Sequence, residues 1–251
     1  MSKSALESEP MKVSVIVPAY NEERLIRQTL AQLQRAMAAF PRAGWVSELI
    51  VCDNNSTDRT AELSRQAGAT VVFEPVNQIA RARNSGAAAA SGDWLIFVDA
   101  DSQPSLDLFQ EVIDLIQTGH CLAGGCTVKL DNESPVAVRC ITVWNWLSRN
   151  FGLLAGSFIF CEAAAFRQIG GFSQELFASE ELDLTKRLKR LARQTRKRVV
   201  ILHRHPLVTS ARKFHLYTFR EYLSFLARTV LSGGRTLKNR ASCGHWYDGR
   251  R

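Results

Sequence analysis

Short apolar runs bounded by polar turn residues recur through the first half of the chain, and this pattern is typical of buried strands. Four such runs predict β-strands, at residues 13–17, 48–52, 70–73 and 94–98. The segments between and after them have apolar or alanine residues at helical spacing. They predict a helix capped by Asn21 and ending near residue 37, and helices over 59–67, 78–90 and 105–117. Strand alternating with helix four times over predicts an α/β fold with a parallel, doubly wound sheet.

The second half of the chain has a less regular pattern. It predicts strands at residues 121–130, 157–161 and 198–202. It also predicts a tryptophan-bearing helix over 138–151 and a helix opening at 179–184, with leucines on one face and basic residues on the other. No repeat or low-complexity linker divides the chain. We therefore expect a single domain over 12–212, flanked by a disordered leader over 1–11 and a basic helical tail over 213–251.

The composition is that of a globular protein, since 46% of the 251 residues are apolar and 22% are charged. A formal net charge of +8 and a pI near 9.4 favour anionic partners, namely nucleotides, nucleic acid or an acidic membrane surface.

The six cysteines form no Cys-x-x-Cys pair, so we interpret them as reduced, buried thiols of a cytoplasmic protein. The leader lacks the apolar core of a signal peptide, and no segment is apolar enough to predict a membrane span.

Two carboxylates, Asp99 and Asp101, directly follow the apolar run at 94–98. Ligands of open α/β sheets bind outside the carboxyl ends of the strands. The pair is therefore well placed to hold a hard divalent cation against a phosphate. Aspartates are also common in turns, where they bond to their own backbone, and the pair alone does not separate the two interpretations.

The other strand ends are polar but lack a phosphate-binding glycine loop. The first strand stops at Pro18-Ala19-Tyr20-Asn21-Glu22, without the glycines of a dinucleotide fold or a P-loop. The second stops at a polar run, 53–58, whose oxygens either cap the next helix or accept hydrogen bonds from a base or ribose. Arg81 and Arg83 lie near a helix start and oppose its dipole, so they either bind a diphosphate or form a solvated basic face.

Six elements, in this order, resemble the inverting, family-two-like glycosyltransferases of the GT-A fold. They are residues 15–22, 53–58, 83–86, 98–101, 170–172 and 180–184. The resemblance implies a nucleotide pocket lined by Pro18, Ala19, Tyr20, Glu22, Asp53, Asn55 and Arg81 or Arg83. It also implies that Asp99 faces the ribose or the metal. Asp101 would then ligate a Mn²⁺ or Mg²⁺ that bridges the donor's diphosphate.

The resemblance further implies a general base at Glu180-Glu181, at the start of a helix. The family usually has Asp at the second position, where this chain has Glu181, so both glutamates remain candidates. Both also suit the first turn of a helix without any catalytic role. His203 and His205, after the last predicted strand, are candidate third metal ligands, and we favour His205. The alternative is that they are histidines of a surface loop.

The resemblance therefore implies a metal-dependent, inverting enzyme that moves one sugar from a nucleotide-diphosphate sugar, with a UDP-sugar favoured, to a small or lipid-linked acceptor. The family's processive synthases add a Gln-x-x-Arg-Trp motif and membrane helices, and neither appears in this sequence. One alternative is a sugar nucleotidyltransferase, which would show a basic, glycine-rich loop after the first strand. Another is a nucleic-acid-binding module using the basic helix 186–198. That helix lacks interleaved aromatics, so we expect no nucleic-acid partner.

The C-terminal region predicts peripheral contact with an anionic membrane. A helix over 214–231 carries one apolar stripe, made of Phe219, Tyr222, Leu223, Leu226 and Val230. Basic residues interspersed with Trp246 and Tyr247 follow it, and such a combination is used by interfacial segments. The alternative is that the stripe packs on the catalytic domain.

Overall fold

This computed structural model describes residues 9–131, 135–211 and 235–239, and its centre is an eight-stranded sheet. The strands are β1 Lys12–Ala19, β2 Val46–Asp53, β3 Thr70–Phe73, β4 Trp94–Val98, β5 Ser102–Gln103, β6 Cys121–Leu130, β7 Phe158–Glu162 and β8 Arg198–Thr209. The helices are α1 Ile26–Met37, α2 Ala39–Arg42, α3 Thr60–Gln66, α4 Ile79–Ala89, α5 Leu106–Gln117, α6 Pro135–Phe151, α7 Ala163–Gln168 and α8 Glu180–Gln194. A 3-10 turn spans Arg235–Lys238.

The strand order is β3-β2-β1-β4-β7-β6-β8-β5. The first four strands of the chain pair in parallel, so the doubly wound arrangement predicted for this half is confirmed. The second half is mixed, because β7 runs antiparallel to both β4 and β6, whereas β6 and β8 are parallel. The carboxyl ends of β1, β2 and β4 consequently lie at one edge, and the loops that follow them meet there.

Different helices cover the two faces of the sheet. On one face α1, α2 and α5 pack against alternate strand residues such as Val15 and Ile96. On the other face α4, α7 and α8 pack against the intervening residues, including Ile16. At Gly86 of α4 an added Cβ would come within 2.5 Å of Ile16 Cγ2, so only glycine permits this approach. The close contact holds the start of α4, and with it Arg83, against the edge where the strands end.

Helix α1 begins at Ile26, so the prediction that Asn21 caps it is wrong. Asn21 adopts a φ of 51°, and its side-chain oxygen accepts a hydrogen bond from the Thr57 N–H at 2.8 Å. The carbonyl of Glu22 instead accepts from the N–H groups of Leu25 and Ile26. Asn21 therefore joins the loops after β1 and β2, which is a structural link and not a helix cap.

The predicted end of the last strand at residue 202 is also wrong, because β8 continues to Thr209. The register with β6 shifts between the pairs Cys126–Leu202 and Val128–Leu207, and this irregularity accommodates Pro206, which cannot donate to the sheet. His203 and His205 consequently lie within a strand and not in a loop after it.

Two expectations concern residues that the structure does not describe. The helix over 214–231 and residues 1–8 of the leader lie outside the described residues. Within the described part of the chain, no helix is long and apolar enough to cross a membrane. Four cysteines are buried free thiols as expected, at Cys52, Cys121, Cys126 and Cys161, whereas Cys140 is exposed.

Candidate active site

A cavity of about 430 Å³ opens at the carboxyl edge of the sheet. Three carboxylates line it: Asp99 and Asp101 from the turn after β4, and Glu181 from the first turn of α8. Its other walls are the segment 155–157, Thr209 and Ser210 at the end of β8, and apolar side chains of β6 and α6. Two of the predicted metal ligands, Asp99 and Asp101, thus meet one of the two candidate bases, Glu181, in one cavity, whereas His205 and Glu180 do not line it.

Backbone hydrogen bonds fix the turn that carries the two aspartates. The Asp99 N–H donates to the Ser157 carbonyl at 3.2 Å, and the Ser102 N–H donates to the Asp99 carbonyl at 3.0 Å. The Ser210 N–H donates to the Asp101 carbonyl at 3.2 Å. The turn is therefore tied to β7 on one side and to β8 on the other, and this holds both carboxylates in place at the cavity wall.

Arg83 is fully buried and bridges two carboxylates. Its Nη1 donates to Glu180 Oε1 at 2.7 Å, while its Nη2 donates to Asp99 Oδ1 at 3.0 Å and to the Gly156 carbonyl at 2.8 Å. Burial disfavours the charged guanidinium, but the charges of Asp99 and Glu180 outweigh burial and raise the pKa of Arg83. These partners account for an arginine near the helix start, because its two terminal nitrogens donate to carboxylates and a carbonyl inside the protein. The nucleotide role of Arg83 stays a prediction.

The two glutamates at the start of α8 have different surroundings. Glu180 is 4% exposed and accepts from Arg83, whereas Glu181 lines the cavity. Burial and then the charge of Glu180 raise the pKa of Glu181 to about 8. A carboxylate with this pKa is a stronger base than an ordinary one, and it is ionised and able to accept a proton above about pH 8. The geometry therefore favours Glu181 over Glu180 as the proton acceptor of the cavity.

The residues predicted for the nucleotide come together at the ends of β1 and β2. Ala19 pairs with Asp53 across these parallel strands, and both are buried. The following loops interlock, since the Asn21 N–H donates to Ser56 Oγ at 3.0 Å and the Glu22 N–H donates to Thr60 Oγ1 at 2.8 Å. Pro18, Tyr20 and Asn55 complete the group, with Asn55 exposed at a φ of 64°. Arg81 is half-buried on α4, and its nucleotide role stays a prediction.

Sequence reasoning missed Asn54, which ties this edge together. Its Oδ1 accepts from the Gln78 N–H at 2.9 Å, and its Nδ2 donates to the Val76 carbonyl at 2.7 Å. Gln78 in turn donates to the carbonyls of Gln174 and Leu176 in the segment before α8. The neighbouring polar residues of the run 53–58 gave no signal that singled Asn54 out. Thr209 and Ser210 of the cavity were missed as well, because they lie beyond the predicted end of the last strand.

Within residues 9–131, 135–211 and 235–239, no group of three or more His, Cys, Asp or Glu side chains forms a metal site. Ser102 pairs with Thr209 across β5 and β8, so Thr209 and Ser210 lie beside the aspartates, and His205 lies further back along the strand. Carboxylate oxygens are ligands that hard cations prefer, and Mg²⁺ usually completes its shell with water and substrate phosphate. Asp99 and Asp101 therefore fit a Mn²⁺ or Mg²⁺ as a partial ligand set.

The profile of the family described as "Glycosyl transferase family 2" matches residues 14–167. A dolichol-phosphate mannosyltransferase of Pyrococcus furiosus is 31% identical over 123 residues, which are 46% of this chain and 33% of that protein. The probable glycosyltransferase YdaM of Bacillus subtilis is 26% identical over 205 residues, which are 72% of this chain and 47% of YdaM. The chain thus spans less than half the length of these two curated relatives.

Solved structures share the fold at lower identity. The mannosyltransferase PcManGT of Pyrobaculum calidifontis, in complex with GDP-Man and Mn²⁺, has a TM-score of 0.63 and 20% identity over 80% of this chain and 57% of that chain. S. aureus TarS 1–349 in complex with UDP-GlcNAc has a TM-score of 0.61 and 23% identity over 80% and 59%. Glucosyl-3-phosphoglycerate synthase of Mycobacterium tuberculosis, with Mn²⁺ and UDP, has a TM-score of 0.58 and 19% identity over 88% and 77%.

Proposed function

Because the chain belongs to glycosyl transferase family 2, we propose that it moves one sugar from a nucleotide-diphosphate sugar to an acceptor hydroxyl, with inversion at the anomeric carbon. One observation carries this proposal: Glu181 lines the same cavity as Asp99 and Asp101. A single displacement at a glycosyl phosphate needs a proton acceptor for the incoming hydroxyl and stabilisation of the departing diphosphate. The family and the GT-A fold, both expected from the motifs, are confirmed.

In the proposed reaction the acceptor oxygen attacks the anomeric carbon while the bond from that carbon to the diphosphate oxygen breaks. The acceptor's proton goes to Glu181, and the electron pair of the broken bond leaves with the nucleoside diphosphate. Glu181 is assigned this role because Glu180 is already engaged by Arg83 at 2.7 Å. Arg83 and Glu180 act as positioning residues, since they fix the start of α8 relative to Asp99.

Asp101 and Asp99 would hold a Mn²⁺ or Mg²⁺, which when bound stabilises the charge that develops on the leaving diphosphate. Oδ1 of Asp99 also accepts from Arg83 at 3.0 Å, so this carboxylate would be shared between the cation and Arg83. The Mn²⁺ in the complexes of the Pyrobaculum and Mycobacterium enzymes supports a divalent cation at this site. His205 is not included in the proposed ligand set.

The proposed donor is a UDP-sugar, held at the nucleotide by residues around the ends of β1 and β2. The UDP complexes of structural neighbours support this choice. The proposed acceptor is small or lipid-linked, and the Pyrococcus relative named for dolichol phosphate supports the lipid-linked class. The proposed compartment is the cytoplasm, because reduced thiols suit it and four cysteines are buried free thiols: Cys52, Cys121, Cys126 and Cys161. The enzyme would work there at the inner face of the membrane.

Thermal unfolding of the full chain with added ligand tests the proposal. We expect UDP together with Mn²⁺ to raise the unfolding midpoint, because a ligand that binds only the folded state stabilises it, and we expect single-stranded DNA to leave the midpoint unchanged. Asp101→Ala should abolish the Mn²⁺-dependent rise. Asp114→Ala, which removes an exposed carboxylate of α5, is the matched control and should retain it. Stabilisation by DNA and not by UDP with Mn²⁺ would reject the proposal.

A further inference from the structure

Helix α6 presents large apolar side chains to the outside of the molecule. Val143, Trp146 and Phe151 are 58%, 59% and 57% exposed. The helix is anchored on its inner side, where the Asn145 amide donates to the Val128 carbonyl at 2.8 Å and its oxygen accepts from the Val128 N–H at 2.9 Å. The rings of Trp146 and Phe151 meet edge to face with centroids 6.2 Å apart. The exposed aromatics are therefore held in position, and nothing in the described part of the chain covers them.

A hollow of about 590 Å³ lies beside Trp146, between α6 and the strands β6 and β8. Thr127 lines it, is 5% exposed, and has no hydrogen-bond partner for its hydroxyl within the described residues. The titratable side chains of its wall are Arg149 and His203, and no described carboxylate belongs to it. A buried hydroxyl beside a guanidinium and an imidazole suits a phosphate group, which brings the acceptor oxygens that these donors lack.

The basic face of α8 lies beside the C-terminal end of α6. Lys189 Nζ donates to the carbonyl of Phe151, the last residue of α6. Three further basic residues at helical spacing on the same side of α8 are exposed, namely Lys186, Arg190 and Arg193. The leucines on the other side, Leu184, Leu188 and Leu191, are buried. The basic run noted in the sequence is thus one face of a packed helix. The contact of Lys189 with the Phe151 carbonyl places this basic face beside the C-terminal end of α6.

We propose that this surface, made of Val143, Trp146 and Phe151 on α6 and of Lys186, Arg190 and Arg193 on α8, docks on an anionic membrane. Interfacial segments insert aromatic and aliphatic side chains at the headgroup level and place basic residues against anionic headgroups. The hollow beside Trp146 takes the phosphate of one lipid. Single-stranded nucleic acid also uses aromatic and basic residues, but an aliphatic side chain such as Val143 offers no ring for a base to stack on.

The inner side of α6 gives this docking a consequence for catalysis. Ile141 and Trp144 line the catalytic cavity together with Glu181, so one helix separates the cavity from the docking surface. A membrane bound at α6 would lie next to the wall of the cavity. A lipid-linked acceptor would then reach the cavity from the side of α6. This link rests on the proposed function, whereas the docking itself does not.

Flotation of the full chain with phosphatidylglycerol vesicles, and separately with phosphatidylcholine vesicles, tests the docking. We expect binding to the anionic vesicles at low ionic strength and little binding to the neutral ones. Arg190→Ser combined with Arg193→Ser should weaken binding on the order of 30-fold, the effect of two charges near an anionic leaflet. Trp146→Ser should weaken it on the order of 10-fold, the effect of losing one buried apolar side chain.

Two control variants remove the same groups elsewhere. Arg42→Ser combined with Arg65→Ser removes two exposed arginines from α2 and α3, and Phe73→Ser removes an aromatic that is 58% exposed on β3. Both should bind vesicles like the wild type. Equal losses in test and control variants would mean that net charge alone attracts the vesicles, and that result overturns the proposal, as does a full chain that stays unbound.

Two further outcomes would assign the surface to another partner and also overturn the proposal. One is binding of a single-stranded RNA oligomer that is lost in the Arg190–Arg193 variant. The other is a dimer in lipid-free sedimentation that Trp146→Ser converts to a monomer. Release of nucleoside diphosphate from a soluble nucleotide sugar should be unchanged in all these variants, so a failure of docking and a failure of the proposed reaction can be told apart.

Discussion

Arg83 donates from Nη1 to Oε1 of Glu180 at 2.7 Å and so joins α4 to the first residue of α8. The side chains of Arg83 and Glu180 are 2% and 6% exposed, so this is a buried ion pair. The other terminal nitrogen of the guanidinium donates to Asp99. One buried cation therefore serves two anions, and the neighbouring Glu181 is the glutamate left facing the cavity.

We expect Arg83→Met to destabilise the protein by about 3–5 kcal/mol, because it leaves Glu180 and Asp99 without their buried counter-charge. Urea unfolding measures the change. Arg59→Met, which removes an exposed partner of Glu62, is the control and should leave the free energy of unfolding nearly unchanged. If Arg83→Met left stability intact and instead weakened UDP binding, Arg83 would be a nucleotide ligand, as the motif resemblance implied.

Glu181→Gln should stabilise the folded protein at high pH. The pKa of Glu181 is raised from 4.5 to about 8, so between these values the folded state keeps a proton that the unfolded state has lost. Stability contributed by this group therefore falls as the pH rises through that window. Above pH 8 the variant should melt at least about 2 °C higher than the wild type, equivalent to roughly 1 kcal/mol for a domain of this size.

The same difference should vanish well below the ordinary glutamate pKa of 4.5, where both the folded and the unfolded state hold a proton at this site. Glu62→Gln is a control of opposite sign, because Arg59 lowers the pKa of Glu62. It should give no gain in melting temperature at high pH. A Glu181→Gln variant that melts like the wild type at every pH would contradict the buried, proton-binding environment of Glu181.

The early strands were predictable because each is an apolar run with polar ends. The extension of β8 was not, since Pro206 and two histidines usually end a strand, and only the shifted register with β6 retains them. The partner of Arg83 was also out of reach. Glu180 lies 97 residues away in sequence, and the packing of α4 and α8 on one sheet face brings the two together.

Asp101→Ala should abolish Mn²⁺-dependent UDP binding, because a ligand carboxylate is lost while the diphosphate keeps its charge. Asp99→Ala should weaken binding less, since Asp99 already shares one oxygen with Arg83. Calorimetric titration of UDP with and without Mn²⁺ measures both. Wild-type affinity in Asp101→Ala with Mn²⁺ present would show that the metal site has been assigned to the wrong residues.

His205→Ala should leave Mn²⁺ affinity unchanged. The side chain belongs to the middle of β8, whereas Thr209 and Ser210 at the end of that strand reach the cavity with the aspartates. Mn²⁺ titration followed by electron paramagnetic resonance measures free and bound metal directly. Asp101→Ala is the positive control. A clear loss of affinity in His205→Ala would restore the histidine to the ligand set.

In the proposed glycosyl transfer, Glu181 accepts the proton of the acceptor hydroxyl in this cavity. The most direct test is release of nucleoside diphosphate from a panel of nucleotide sugars with Mn²⁺, measured with donor affinity for wild type, Glu181→Gln and Glu180→Gln. We predict release from at least one donor by the wild type and a rate lower by about 10²-fold or more in Glu181→Gln, with donor affinity unchanged. Equal rates in wild type and Glu181→Gln, or a larger loss in Glu180→Gln, would contradict the role of Glu181 as the proton acceptor.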